Sequence, residues 1–168
     1  MPIVYLIRSL KFVLLKIKYK QNMIQRIQSI YLLLAGLGFG ALFLLPFATS
    51  SKPIPVMMQD MVYNIQDSPL LLVLTIIGIV ASITGIFLYG NRNAQQKITS
   101  LVVICGIFVP LVAALLIYNE QTGFDPSTTT LDDEAGIYMP VLSIIFGVLA
   151  LRGIKKDENI VKSMDRLR

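Results

Sequence analysis

Residues 70–89 read LLLVLTIIGIVASITGIFLY, an unbroken run with no acidic or basic side chain. At about 1.5 Å per residue, a helix over this run crosses a hydrocarbon core of about 30 Å. Three more uncharged runs accompany it: Ile30–Phe47, Ile98–Tyr118 and Gly136–Leu151. Soluble helices keep a polar face toward water, and the buried strands of α/β proteins run only about four to eight residues. Neither class accounts for these runs. The sequence predicts an all-α integral membrane protein, a four-helix bundle with spans near 30–47, 70–89, 98–118 and 136–151. Residues 23–168 form this membrane domain, ending in a charged, helix-like tail over 152–168.

Charges between the runs are sorted by sign. Arg8, Lys11, Lys16, Lys18, Lys20 and Arg26 precede the first run, Arg92 and Lys97 follow the second, and Arg152, Lys155, Lys156, Lys162, Arg166 and Arg168 follow the fourth. The remaining two gaps hold Lys52 with Asp60 and Asp67, then Glu120, Asp125, Asp132, Asp133 and Glu134. Lysine and arginine accumulate on the cytoplasmic side of membrane proteins, so both termini are expected in the cytoplasm. The net charge of +5 over 168 residues therefore reads as topogenic, with anionic lipid as a second contact. Nucleic acid is not an expected partner.

The residues that build reactive centres are scarce. The chain has no histidine and a single cysteine, Cys105, inside the third run. An intrachain disulfide is excluded, and imidazole or thiolate metal clusters have no ligands. Nucleophiles lack a histidine to activate them, and Asp132-Asp133-Glu134 lacks calcium-loop spacing. No cofactor, metal site or catalytic residue is expected. The runs also contain no ionisable group other than Cys105 and tyrosines, whereas proton relays and voltage sensors place carboxylates, histidines or arginines within the membrane. Their hydroxyls, Thr75, Ser82, Thr84 and Ser143, have a default role in bonding to their own helix.

Residues 1–22 carry Ile3, Leu6, Ile7, Leu10, Val13, Leu14 and Ile17 on one side of a helical wheel and the cations largely on the other. This fits a basic amphipathic helix on the inner leaflet. It equally fits an upstream extension of a reading frame whose native start is Met23. Met23–Ala48 has some features of a signal peptide, but its apolar stretch is too long and Pro46 precedes the small residues Ala48-Thr49-Ser50, so a retained span is favoured. In the next gap Pro53 and Pro55 dictate extended backbone. Val56–Tyr63 then reads as a short strand or interfacial helix whose methionines offer an adaptable apolar surface. Gly90–Lys97 reads as a short turn between antiparallel spans. Leu131–Glu134 reads as the start of the last helix, because carboxylates favour helix N-termini. Pro110 lies inside the third run and is expected to kink it.

Small residues recur on the runs at four-residue spacing: Gly36 with Gly40, Gly78 with Ser82, Ala81 with Gly85, and Ser143 with Gly147. Such pairs let helix backbones approach closely, within the bundle or against a partner. The Gly36-Leu37-Gly38-Phe39-Gly40 stretch is no nucleotide loop, since it lies inside a span and lacks a preceding strand.

Two stretches carry a family resemblance. Met23-Ile24-Gln25-Arg26-Ile27-Gln28-Ser29-Ile30-Tyr31-Leu32-Leu33-Leu34-Ala35 resembles the opening of a Bacteroidota family of small four-span membrane proteins, domain of unknown function 4293. Lys155-Lys156-Asp157-Glu158 and Val161–Arg168 are similar to that family's charged tail. The resemblance implies a bacterial inner-membrane location and supports Met23 as one possible start; it supplies no activity and no ligand residues. The functional expectation is a non-enzymatic accessory or scaffold subunit, contacting membrane lipids and either a membrane-protein partner or a second copy of itself. Arg26, Asp165, Arg166 and Arg168 are its candidate cytoplasmic contacts. The alternative is a small transporter or channel for a neutral or lipid-like solute.

Overall fold

A computed structural model describes residues 27–53, 58–120 and 130–165. The N-terminal extension, the Met23 start, residues 54–57 and Asp125 fall outside these residues. Four helices dominate: α1 (Ile27–Ala41), α2 (Pro69–Phe87), α3 (Arg92–Glu120) and α4 (Met139–Asp165). With their short 3-10 extensions, α2, α3 and α4 are each long and apolar enough to cross a membrane, while α1 is shorter.

Each helix buries a seam at alternating spacings of four and three. The seams are Gln28, Leu32, Ala35, Phe39 and Leu42 from α1 into the turn after it; Leu71, Thr75, Gly78, Ser82 and Gly85 on α2; Gln95, Thr99, Val102, Gly106, Val109 and Ala113 on α3; and Ser143, Gly147, Ala150, Ile154 and Asp157 on α4. A 3.5-residue repeat keeps one stripe of a helix facing its neighbours over many turns. The seams interlock around the ring of helices. A Cβ added to Gly78 would meet the Phe39 ring at 2.9 Å, and one on Gly85 would meet Leu32 at 3.2 Å. Gly106 faces Ile144, Gly147 faces Val103, and Gly38 faces Ser143. The opposite sides of the helices expose residues such as Leu37, Val80, Ile107 and Ile145, as apolar surface turned toward lipid would require.

The run expected as a span over 30–47 is helical only to Ala41. Pro46 has no amide hydrogen and its ring disfavours helical geometry at Leu45, so the chain tightens through Leu42–Leu45 and then extends. The freed backbone joins a three-stranded antiparallel sheet, ordered β2 (Val62–Tyr63), β1 (Ala48–Ser50), β3 (Leu131–Asp133). Thr49 lies opposite Val62 on one side and Asp132 on the other. Leu131–Glu134 thus does not open the last helix: Leu131–Asp133 pairs with β1, and a 3-10 turn over Ala135–Tyr138 precedes α4. The sheet ties the α1–α2 connection to the α3–α4 connection. It is pinned below by Tyr63, fully buried, whose hydroxyl donates to the Ala113 carbonyl at 3.3 Å. Met58 is also buried there, while Met61 is exposed in a left-handed conformation with φ of 64°.

Two further boundaries differ from the sequence expectation. The presumed turn Gly90–Lys97 is mostly helix, because Asn91 Oδ1 accepts from the Ala94 amide at 3.2 Å and its carbonyl accepts from Gln95, so α3 starts at Arg92. The tail is not a separate segment either. α4 runs through Leu151 to Asp165, since Gly153 sits against Gln28 and Ile154 is fully buried, holding the helix to the core past the apolar run. Helix α3 likewise continues through Pro110.

Candidate functional site

The seams end, at the pole opposite the sheet, in a layer of buried polar side chains. Gln28 on α1 and Asp157 on α4 are 4 % and 6 % exposed. Gln28 Nε2 donates to Asp157 Oδ2 at 2.7 Å, and Arg92 Nη1 at the start of α3 lies 3.3 Å from that same oxygen. Gln95 Nε2 donates to the Gly85 carbonyl at 3.0 Å, satisfying a backbone acceptor near the end of α2. Gln96 donates to the Glu158 carboxylate. All four helices are therefore tied at this pole by charge-assisted or amide hydrogen bonds, and no buried side-chain nitrogen or oxygen is left without a partner among the described residues. The Asp157 carboxylate is held by two partners, and no group of three metal-ligating side chains occurs among the described residues.

The sequence reading puts Asp157 in the charged, helix-like tail and assigns Gln28, Gln95 and Gln96 no role. The signal was present. Asp157 continues the spacing Ser143, Gly147, Ala150, Ile154 by three residues, as Gln28 precedes Leu32 and Gln95 precedes Thr99 by four.

The opposite pole carries Asp60, Asp67, Asp132, Asp133, Glu134 and Lys52 around the sheet. There Asp67 Oδ2 accepts from the Asn64 amide at 2.6 Å. Burial pushes its carboxyl above the usual range, against that hydrogen bond and with help from the Asp60 charge.

The small residues singled out in the sequence have different surroundings. Gly36 faces Ser82, where an added Cβ would lie 3.2 Å from the Ser82 Cβ. Gly40, one turn on, has nothing within 4 Å. Between them runs an apolar groove of about 540 Å³ on the outer side of α1 and α2, floored by Gly36, Gly40 and Ala41 and walled by Leu33, Leu37 and Ile83. Gly78, Gly85, Gly147, Ala81 and Ser143 are buried within the ring of helices.

Thr75, Ser82, Thr84 and Ser143 all direct their hydroxyls to backbone carbonyls. Thr75 donates to Leu71, Ser82 to Gly78 and Thr84 to Val80, each to a carbonyl of α2. The Ser143 hydroxyl is shared between Met139 of its own helix and Ala35 of α1, both at 3.1 Å. Arg26, Arg166 and Arg168 lie outside the described residues, and Asp165 ends α4 without a described side chain.

A family model described as domain of unknown function (DUF4293) matches residues 24–167. No curated protein and no solved structure matches the chain.

Proposed function

The chain belongs to the DUF4293 family, and on that premise we propose that it is a non-enzymatic, four-span bundle of the bacterial inner membrane, acting as an accessory or scaffold subunit of a membrane complex. The observation that carries this reading is the groove between α1 and α2, where Gly40 faces open space while its partner glycine, Gly36, is already packed. Its occupant is a transmembrane helix of a second membrane protein. A floor of glycine and alanine between leucine and isoleucine walls admits a helix ridge at close range, which an apolar bilayer otherwise gives little reason to form. Satisfied hydroxyls and paired carboxylates support a structural rather than transporting role. The sorting of cations to the Arg92 pole supports a cytoplasmic location for that pole, with both chain ends inside.

The test is a photo-crosslinking residue at Leu44, 85 % exposed at the mouth of the groove, in the full chain in native membranes. One discrete protein adduct that disappears in Gly40→Leu is expected. Adducts to lipid alone, or a ladder of the chain with itself, would remove the heterologous partner from the proposal.

A further inference from the structure

The segment Arg152-Gly153-Ile154-Lys155-Lys156-Asp157-Glu158 reads as a mixed-charge tail, yet the fold separates its signs. Asp157 turns inward to Gln28 and Arg92, and Glu158 accepts from Gln96. Arg152, Lys155 and Lys156 are left exposed on the far side of α4, lining a shallow recess with Asn159 and Ser163. None of the three cations is within 4.0 Å of a carboxylate among the described residues. Because Ile154 and Asp157 anchor the inner face, this outward face is held in place by the core.

Its height relative to the apolar part of the helix is set by arithmetic. The 3-10 turn Ala135–Tyr138 and the helix from Met139 to Leu151 together rise about 28 Å, close to a hydrocarbon core of about 30 Å. Arg152 to Lys156 adds about 6 Å, the depth of one headgroup layer. Along the same outward face, toward the N-terminal end of the helix, Val141, Leu142 and Ile145 lie exposed. An apolar stripe that ends in three cations at headgroup depth matches one ligand chemistry: an acyl chain carrying a phosphate with net negative charge. We infer that the outward face of α4 at Arg152, Lys155 and Lys156 is a binding site for an anionic phospholipid. The site rests on insertion of α4 in a membrane but not on a protein partner at the α1–α2 groove.

Native mass spectrometry of the full chain in a neutral detergent, with equimolar phosphatidylglycerol and phosphatidylcholine, tests this. The wild-type chain should retain phosphatidylglycerol preferentially. One cation near a membrane surface is worth roughly fivefold in binding, so K155Q or K156Q should each weaken that preference about fivefold. R152Q/K155Q/K156Q should weaken it about a hundredfold, and K155R/K156R should keep it. K52Q, at the other pole, should change nothing. Equal retention of the two lipids by the wild type, or an unchanged preference in the single variants, overturns the site. Full displacement by millimolar inorganic phosphate overturns the lipid assignment in favour of a soluble phosphate. A failed groove crosslink leaves these outcomes untouched, so the two proposals fall separately.

Discussion

Gln28 and Asp157, 129 positions apart, meet at 2.7 Å and join the first helix to the last beneath the Arg92 guanidinium. The pair closes the ring of helices at one pole as the three-stranded sheet closes it at the other. A buried carboxylate is tolerated there only because both neighbours direct hydrogen toward it.

Removing that carboxylate leaves Arg92 and Gln28 facing each other without an acceptor. Asp157→Leu is expected to destabilise the protein by about 3–5 kcal/mol, the range for breaking a buried ion pair from one side. Gln28→Leu should cost less, since the Arg92 contact survives. Thermal unfolding in detergent measures both; equal, sub-kcal losses would mean that the cluster is solvated.

Glycine substitutions should split by position. A Cβ on Gly136 would run into the Pro46 carbonyl group and lie 2.7 Å from the Leu45 carbonyl oxygen, backbone that the sheet holds fixed. Gly136→Ala is therefore expected to cost about 3 kcal/mol through overpacking. Gly40→Ala meets nothing within 4 Å and should stabilise the isolated protein by about 0.5–1 kcal/mol, the helical preference for alanine. Denaturation midpoints of the two variants should move in opposite directions.

Met61 adopts φ of 64° in the turn before β2, where its carbonyl accepts from Ser50 at 2.8 Å. A left-handed conformation costs a residue with a long side chain about 1–2 kcal/mol, and asparagine tolerates it better. Met61→Asn should raise stability by up to about 1 kcal/mol in the same unfolding assay. A loss instead would show that the exposed methionine is held by contacts outside this turn.

The raised carboxyl of Asp67 carries a pH dependence of definite sign. The folded state binds that proton more tightly than the unfolded chain, so the contribution is most favourable below the ordinary value of 3.8. It declines as pH rises through the higher folded value and is flat above it. Asp67→Asn, which can still accept from the Asn64 amide, should abolish this decline. A pH series of urea midpoints that keeps its slope in the variant would assign the effect elsewhere.

Orientation is testable with single cysteines in a Cys105→Ala background. With the Arg92 pole cytoplasmic, as proposed, Lys155→Cys should resist a membrane-impermeant maleimide in intact cells and react after lysis. Asp132→Cys should react in intact cells that have a permeabilised outer membrane. The reverse pattern would invert the topology.

Long uncharged segments separated by sorted charges are legible along the chain, because hydropathy is a local property. Three of the four runs correspond to helices long and apolar enough to cross a membrane, and the resemblance carried by Met23–Ala35 led to the family. The true ends were less legible. The end at Ala41 and the start at Arg92 are set by Pro46 and by the Asn91 cap, both local marks, whereas α4 continues past Leu151 because Ile154 is buried, which no local signal announces. Where each charge of a mixed segment goes depends instead on packing between distant parts of the chain. Lys155, Lys156, Asp157 and Glu158 are adjacent in sequence, but a helix turns successive side chains by about 100°. Gln28 and Arg92, brought from distant parts of the chain, select the carboxylate of Asp157 for the interior, and the lysines are thereby left facing out.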